Sequence, residues 1–156
     1  MKTLGKRETE SFLTLMEVMK QHGRDGRYLK LTNRSYMPLS LEILGTYHNL
    51  GTFETPELLY VSMAHYGELN GDLMADPEMT FLVSIENKSV IPASWTNHYC
   101  GRCDEAVIFD DKGPARYVKR MQADITKFAN MWMRNLKAQG FVIKAQNVDV
   151  EEETTV

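Results

Sequence analysis

The sequence predicts an α+β fold: an antiparallel sheet of about five strands with an N-terminal helix and a long C-terminal helix packed on one face. The first helix is indicated by four large apolar residues, from Phe12 to Met19, that recur at helical spacing within residues 8–21. Strand-like runs with short connections fill the middle of the chain, and helical periodicity returns from Pro114 to Gly140. Covering one face of such a sheet with helices is the simplest way to bury the apolar sides of both.

The boundaries of these elements follow from glycine and proline positions. Gly23 is expected to end the first helix. Strands are expected within residues 36–44, with Pro38 at the start of the strand, and at 58–66, 80–85, 90–96 and 106–109. The turn at 110–113 should close the last strand, and Pro114 suits the first turn of the long helix, which should stop near Gly140.

Length and composition predict one domain and a cytoplasmic protein. The 156 residues suffice for one core, which we place at residues 1–147, followed by an acidic and disordered tail at 148–156. No apolar run approaches the ~20 residues of a membrane span, and no apolar segment follows the basic N-terminus, so neither a membrane partner nor secretion is expected. Two cysteines suggest a reducing compartment.

The charges are segregated along the chain although the net charge is only −3. Residues 1–40 contain eight basic and four acidic residues, whereas residues 41–111 contain two basic and twelve acidic residues. Residues 112–140 contain seven basic residues and a single acid, Asp124. Such asymmetry is evidence about binding partners and not about the fold.

The long helix is predicted to carry a stripe of basic side chains. At 100° per residue, six bases fall within an arc of about 100°, opposite the apolar side, with no acid between them. They are Arg116, Lys119, Arg120, Lys127, Arg134 and Lys137. The stripe is either an ordinary polar face, a surface that binds a phosphate backbone or an acidic protein, or a surface that pairs with the acidic middle of this chain.

Residues 65–79 form the densest cluster of chemically active side chains. Asn70-Gly71 is a turn signal, and Asp76-Pro77 is expected to begin a second turn, so the segment reads as a hairpin connection with solvated carboxylates. Alternatively Glu68, Asp72 and Asp76 belong to a partner-binding surface. A third reading is a metal or acid–base site, and its residues would be His65, Asp72, Asp76 and Glu78.

Cys100 and Cys103 have the spacing of a redox or metal motif. The residues that follow them indicate a strand, whereas a reactive dithiol needs its first cysteine at a helix N-terminus. A zinc site needs four ligands, and only His98 is near in sequence. Two cysteines in a turn is therefore the simplest interpretation, with metal binding left open.

Three segments resemble an uncharacterised family of small proteins carried by phages, plasmids and conjugative elements, mainly of Firmicutes. They are the strand led by Tyr36-Met37-Pro38-Leu39, the box at 65–79, and the helix around Phe128-Ala129-Asn130-Met131-Trp132 that ends at Gln139-Gly140-Phe141. Cys100 and Cys103 are not part of the family pattern. The resemblance implies an accessory protein of a mobile element, and it transfers no catalytic role and no cofactor to any residue.

These observations support three hypotheses about function. The first is a non-enzymatic binding protein that inhibits a host defence nuclease or complex, of anti-CRISPR or anti-restriction type, through the basic stripe and the 67–78 loop. The second is a nucleic-acid-binding protein of element replication or transfer, acting through the same stripe. The third is a small metal-dependent hydrolase. The sequence contains no recognised catalytic motif, which favours the two non-enzymatic readings.

Overall fold

The chain forms three helices and eight strands in the computed structural model, which describes residues 1–48 and 57–147. In chain order they are α1 (Lys6–His22), β1 (Tyr28–Leu31), β2 (Leu39–Tyr47), β3 (Leu58–Leu69), β4 (Asp72–Ser84), β5 (Ser89–Asn97), β6 (Arg102–Glu105), β7 (Val107–Asp110), β8 (Gly113–Tyr117), α2 (Lys119–Ala138) and α3 (Phe141–Gln146). The predicted α+β class, with an antiparallel sheet and helices at both ends of the chain, is confirmed.

The strands form one six-stranded antiparallel meander, β1 to β6 in chain order, and a separate two-stranded hairpin of β7 and β8. The prediction of about five strands was therefore low. Strands β1, β6 and β8 were not predicted. β1 and β6 have only four residues each and lie at the edges of the sheet, and the residues of β8 were assigned to the long helix. The partners of β1 hold it in place, since Leu31 pairs with Leu39 at the start of β2.

All three helices pack on one face of the sheet, and the main core lies between them. The apolar stripe of α1 is buried, from Phe12 to Met19, as its spacing predicted. Gly23 follows the helix at a point of close approach, where a Cβ atom would lie only 2.5 Å from the Met19 carbonyl oxygen. From α2, Ile125, Trp132 and Leu136 enter the same core. The helices thus leave the opposite face of the sheet, here called the open face, to the β7–β8 hairpin.

The long helix begins five residues later than predicted. Pro114 and Arg116 lie in β8, where Arg116 pairs with Ile108 of β7, so neither belongs to the helix. The helical spacing of apolar residues extends back to Tyr117, but Tyr117 pairs with Val107 in the β7–β8 hairpin. The predicted end near Gly140 is confirmed: α2 ends at Ala138, and Gly140 adopts a left-handed conformation (φ +84°) before the short helix α3.

The box at 65–79 is not a loop but most of a long hairpin formed by β3 and β4. Asn70 and Gly71 form its turn with φ angles of +53° and +86°, as predicted. The second turn predicted at Asp76-Pro77 is wrong, because both residues lie inside β4. β2 pairs with β3 only as far as His65. Residues 66–69 of β3 pair with β4 but not with β2, so this end of the hairpin extends beyond β2, and we call it the arm.

Within the described residues, no helix is both long and apolar enough to cross a membrane. The tail predicted at 148–156 lies outside the described residues.

Candidate functional site

The structure divides the six bases of the predicted stripe into three groups. Lys119, Arg120 and Lys127 project from the exposed side of α2, and we call these three the basic face. No carboxylate of residues 1–48 or 57–147 lies within ion-pair distance of any of them. At 1.5 Å per residue, the basic face covers about 12 Å of the helix. It is therefore a patch of three cations on a rigid element, none of them in an ion pair with a described carboxylate.

Arg134 and Lys137, from the C-terminal half of α2, turn instead toward α1. The Nη1 atom of Arg134 donates a hydrogen bond of 2.9 Å to Oε1 of Glu8. The Glu8 side chain is only 14% exposed. Partial burial acts to raise the pKa of Glu8, but the hydrogen bond and charge of Arg134, a backbone hydrogen bond and the charge of Arg7 together lower that pKa overall. Lys137 lines the same groove between the two helices.

Arg116 is exposed on β8 and lies outside the helical stripe. The prediction that it continues the stripe on the same helix is wrong, because the residues around it form a strand. The intramolecular pairing that the sequence left open occurs at one position among the described residues, Arg134, and its partner comes from α1 and not from the acidic middle segment.

The acidic residues of the predicted partner surface are separated by the hairpin geometry. Glu68 and Asp72 are exposed near the tip of the arm, beside Leu73, whose exposure is 72%. Asp76 lies further down and is partly buried, and its Oδ1 accepts a hydrogen bond of 2.8 Å from Nδ2 of Asn97. The tip of the arm is thus an exposed acidic and apolar surface, whereas Asp76 joins β4 to the end of β5.

The four residues of the hypothetical metal site do not come together. His65 is buried on the helix side, with its ring against Trp132 and Phe141, and its Nδ1 donates to the Pro38 carbonyl oxygen at 3.1 Å. Glu78 lies on the open face. Among the described residues, no group of three or more His, Cys, Asp or Glu side chains is arranged to hold a metal ion.

Both cysteines are exposed and free. Cys100 lies in the turn between β5 and β6, as predicted, and Cys103 lies in β6. The Cys103 sulfur accepts a hydrogen bond of 3.2 Å from the hydroxyl of Thr96 on the neighbouring strand. His98, the nearest sequence candidate for a shared metal, instead accepts a hydrogen bond from the Ala75 backbone at its Nδ1.

The open face carries a cavity of about 800 Å³ between the sheet and the β7–β8 hairpin. Glu78 lines this cavity, and Oε2 of its carboxylate accepts hydrogen bonds of 2.9 Å from both Ser62 and Tyr66. Phe109 of the hairpin packs against Tyr60 with the two rings tilted by 52° and their centroids 4.9 Å apart. The cavity therefore combines an oriented carboxylate with aromatic walls.

The pKa values of two tyrosines on this face are raised by their surroundings. Burial raises the pKa of Tyr60, and the nearby carboxylates of Glu105 and Glu78 add to that increase. Burial also raises the pKa of Tyr66, and so does its hydrogen bond to Glu78. Both phenols therefore stay neutral and donate hydrogen bonds at physiological pH.

Of the open-face residues, Glu78 was named from the sequence, whereas Tyr60, Ser62 and Phe109 were missed although a signal for the two β3 residues was present. In β3, Tyr60 and Ser62 alternate with the core residues Leu59, Val61 and Met63, which is the period of a strand with two differently used faces. The sequence could not show that this second face is covered, because the hairpin that covers it comes from a distant part of the chain.

The model of one protein family matches residues 10–142, which covers most of α1, the whole sheet, the β7–β8 hairpin and α2. Its description is a domain of unknown function, DUF6908. The chain belongs to this family. No curated protein and no solved structure matches it. The basic face and the open-face cavity both lie within the DUF6908 domain, so both are features of the matched fold and not of an appended segment.

Proposed function

We propose that this DUF6908 protein is a cytoplasmic, non-enzymatic binding protein of a mobile genetic element that inhibits a host defence nuclease or complex. The observation that carries the proposal is the basic face: Lys119, Arg120 and Lys127 are exposed on one helix without a carboxylate partner among the described residues. The mobile-element context comes from the resemblance of the box and the closing helix.

Placing like charges together on a helix costs free energy. Cations three or four residues apart on a helix repel each other, and an i,i+4 acid would remove that repulsion. Asp124 lies four residues after Arg120, yet the two side chains do not form an ion pair in this structure. An acidic partner surface would neutralise the patch, and it would also accelerate the encounter through long-range attraction.

The helix is a suitable support for such a contact. Its opposite side is anchored in the core by Trp132 and Leu136, which are 4% and 0% exposed. The cations are therefore held on a rigid surface, and binding does not require the helix to fold first. Inhibition would follow from occupying a surface of the target rather than from chemistry.

An interference assay tests the proposal. The chain is expressed in a Firmicutes host with an active restriction or CRISPR system, and the plating efficiency of a targeted phage is measured. We expect the wild-type chain to raise plating efficiency and the triple variant K119E/R120E/K127E to lose the effect. The matched control is K20E/K30E/K112E, which reverses three exposed lysines elsewhere and should behave as wild type.

Three results would contradict the proposal. The first is wild-type plating with the basic-face variant, and the second is equal loss with both triple variants. The third is unchanged plating against every restriction and CRISPR system tested. Binding to nucleic acid alone, with an affinity that falls steeply with salt concentration, would favour the replication or transfer function instead.

A further inference from the structure

We propose that the groove between α1 and α2 is a binding site for a phosphate group. Its volume is about 380 Å³. The lining residues are Arg7, Glu8, Ser11, Met133, Arg134, Lys137 and Ala138. The site lies apart from the basic face and does not depend on the inhibitor function proposed above.

The net charge of the groove favours an anionic ligand. Arg7, Arg134 and Lys137 are cations and Glu8 is the one carboxylate among the lining residues, so the groove has a formal charge of +2. Arg134 is partly neutralised by Glu8, whereas Arg7 and Lys137 have no carboxylate partner among the described residues. A phosphate monoester is close to a dianion at neutral pH and matches this charge. Guanidinium and ammonium groups are the side chains that bind phosphate most strongly.

The second, independent argument is the hydroxyl of Ser11. The residue is only 6% exposed, and its side chain has no hydrogen bond to any part of residues 1–48 or 57–147. Two threonines of the same helix do have partners: Thr9 donates to the Leu4 carbonyl at 3.3 Å, and Thr14 donates to the Glu10 carbonyl at 2.9 Å. Ser11 lines the groove, so its hydroxyl is accessible there and free to donate a hydrogen bond to an anion bound beside the cations.

The volume and lining of the groove suit a small ligand. A volume of 380 Å³ is at the small end of the range for ligand sites, about 300–1,000 Å³. Met133 and Ala138 provide apolar wall beside the charged groups. The groove therefore accommodates a phosphate with a small attached group. Free inorganic phosphate and a small phosphate monoester, such as a nucleoside monophosphate, share this chemistry.

Glu8 makes the proposal sharply testable, because its carboxylate competes with the ligand for Arg134. Removing that charge should strengthen phosphate binding, whereas removing a cation or the Ser11 hydroxyl should weaken it. If these residues served only to hold α1 against α2, removing the Glu8 charge would not strengthen phosphate binding and removing a cation would not weaken it.

The experiment is an NMR titration of the full chain with inorganic phosphate at constant ionic strength, with chloride as the reference anion. We expect saturable shifts in the amides of residues 7–11 and 133–138. S11A should weaken binding about tenfold, since a hydrogen bond to a charged group is lost. R7Q and K137Q should each weaken it several-fold, and E8Q should tighten it. T14A is the matched control, because it removes a hydroxyl that bonds within the helix, and it should bind as wild type.

A parallel titration with adenosine monophosphate separates the two sources. Tighter binding than inorganic phosphate would assign a phosphate monoester, and equal binding would assign free phosphate. The basic-face variant K119E/R120E/K127E should bind phosphate nearly as well as wild type, which distinguishes a failure of this site from a failure of the inhibitor function. If no saturable binding is seen up to ~20 mM phosphate, any affinity is too weak to matter and the proposal is overturned. Equal affinity of S11A and T14A, or weaker binding by E8Q, would do so as well.

Discussion

Replacing Gln122 with methionine should test how the N-terminal segment is held to the fold. The residue is 1% exposed in α2. Its Oε1 accepts a hydrogen bond from the Lys2 amide at 2.8 Å, and its Nε2 donates to the Lys2 carbonyl at 2.8 Å and to the Pro92 carbonyl at 3.2 Å. One side chain thus joins the start of the chain, the long helix and β5.

The expected cost follows from what the substitution leaves unpaired. The Lys2 groups are near the surface and can return to water, so losing both bonds should cost about 1 kcal/mol. The Pro92 carbonyl is buried, and leaving it without a partner should cost a further 1–2 kcal/mol or so. Methionine is similar in size, so no large cavity is expected. The total is about 2–3 kcal/mol, a large part of the ~5–15 kcal/mol stability of a typical domain.

The assay is urea unfolding followed by circular dichroism, with hydrogen exchange at the Leu4 amide as a local readout. Leu4 donates to the Val90 carbonyl at 2.9 Å, and its exchange should accelerate more than that of core strands. Gln146→Met is the control, since Gln146 is exposed at the end of α3. A loss below ~0.5 kcal/mol in Gln122→Met, or an equal loss in both variants, would refute this role for Gln122.

Further predictions concern pH, packing and close approach. Burial lowers the pKa of His65 below its ordinary value of 6.5, so the unfolded chain binds more protons there than the folded chain. The free energy of unfolding should therefore be level above pH 6.5 and decline as the pH falls below it, and His65→Asn should flatten this decline in urea titrations. Leu136→Ala should cost about 2–5 kcal/mol in thermal or urea unfolding, because Leu136 is fully buried, and Met131→Ala on the exposed side should cost little. Gly23→Ala should destabilise by about 1–3 kcal/mol, because the added Cβ would meet two carbonyl oxygens within 2.6 Å; an unchanged midpoint would contradict that close approach.

Local sequence patterns were enough to predict much of the fold. The apolar period of α1 and the Asn70-Gly71 turn are short-range signals, and both are confirmed. The start of α2 was mispredicted because apolar spacing cannot show where a segment's backbone hydrogen bonds go. Tyr117 continues the helical spacing of apolar residues, whereas the backbone of residues 113–117 pairs with β7. Strand pairing in the hairpin therefore outweighed the helical periodicity of the side chains at this position.

The candidate sites were less predictable because they depend on contacts between distant segments. Sequence periodicity placed Lys119, Arg120 and Lys127 on one exposed face, as found. It could not show that Arg134 pairs with Glu8, since 126 residues separate them. The unpartnered hydroxyl of Ser11 is equally invisible in a sequence, because a buried serine becomes informative only when its surroundings are known.

The most direct test of the proposed function is capture of a target by the basic face. The tagged chain, the variant K119E/R120E/K127E and the control K20E/K30E/K112E are incubated with nuclease-treated lysate of a Firmicutes host. We predict that a subunit of a restriction or CRISPR complex is recovered with the wild type and the control, survives nuclease treatment and is lost with the basic-face variant. Recovery of the same subunit by all three chains, or recovery of nucleic acid alone before treatment, would contradict the proposed inhibition through this face.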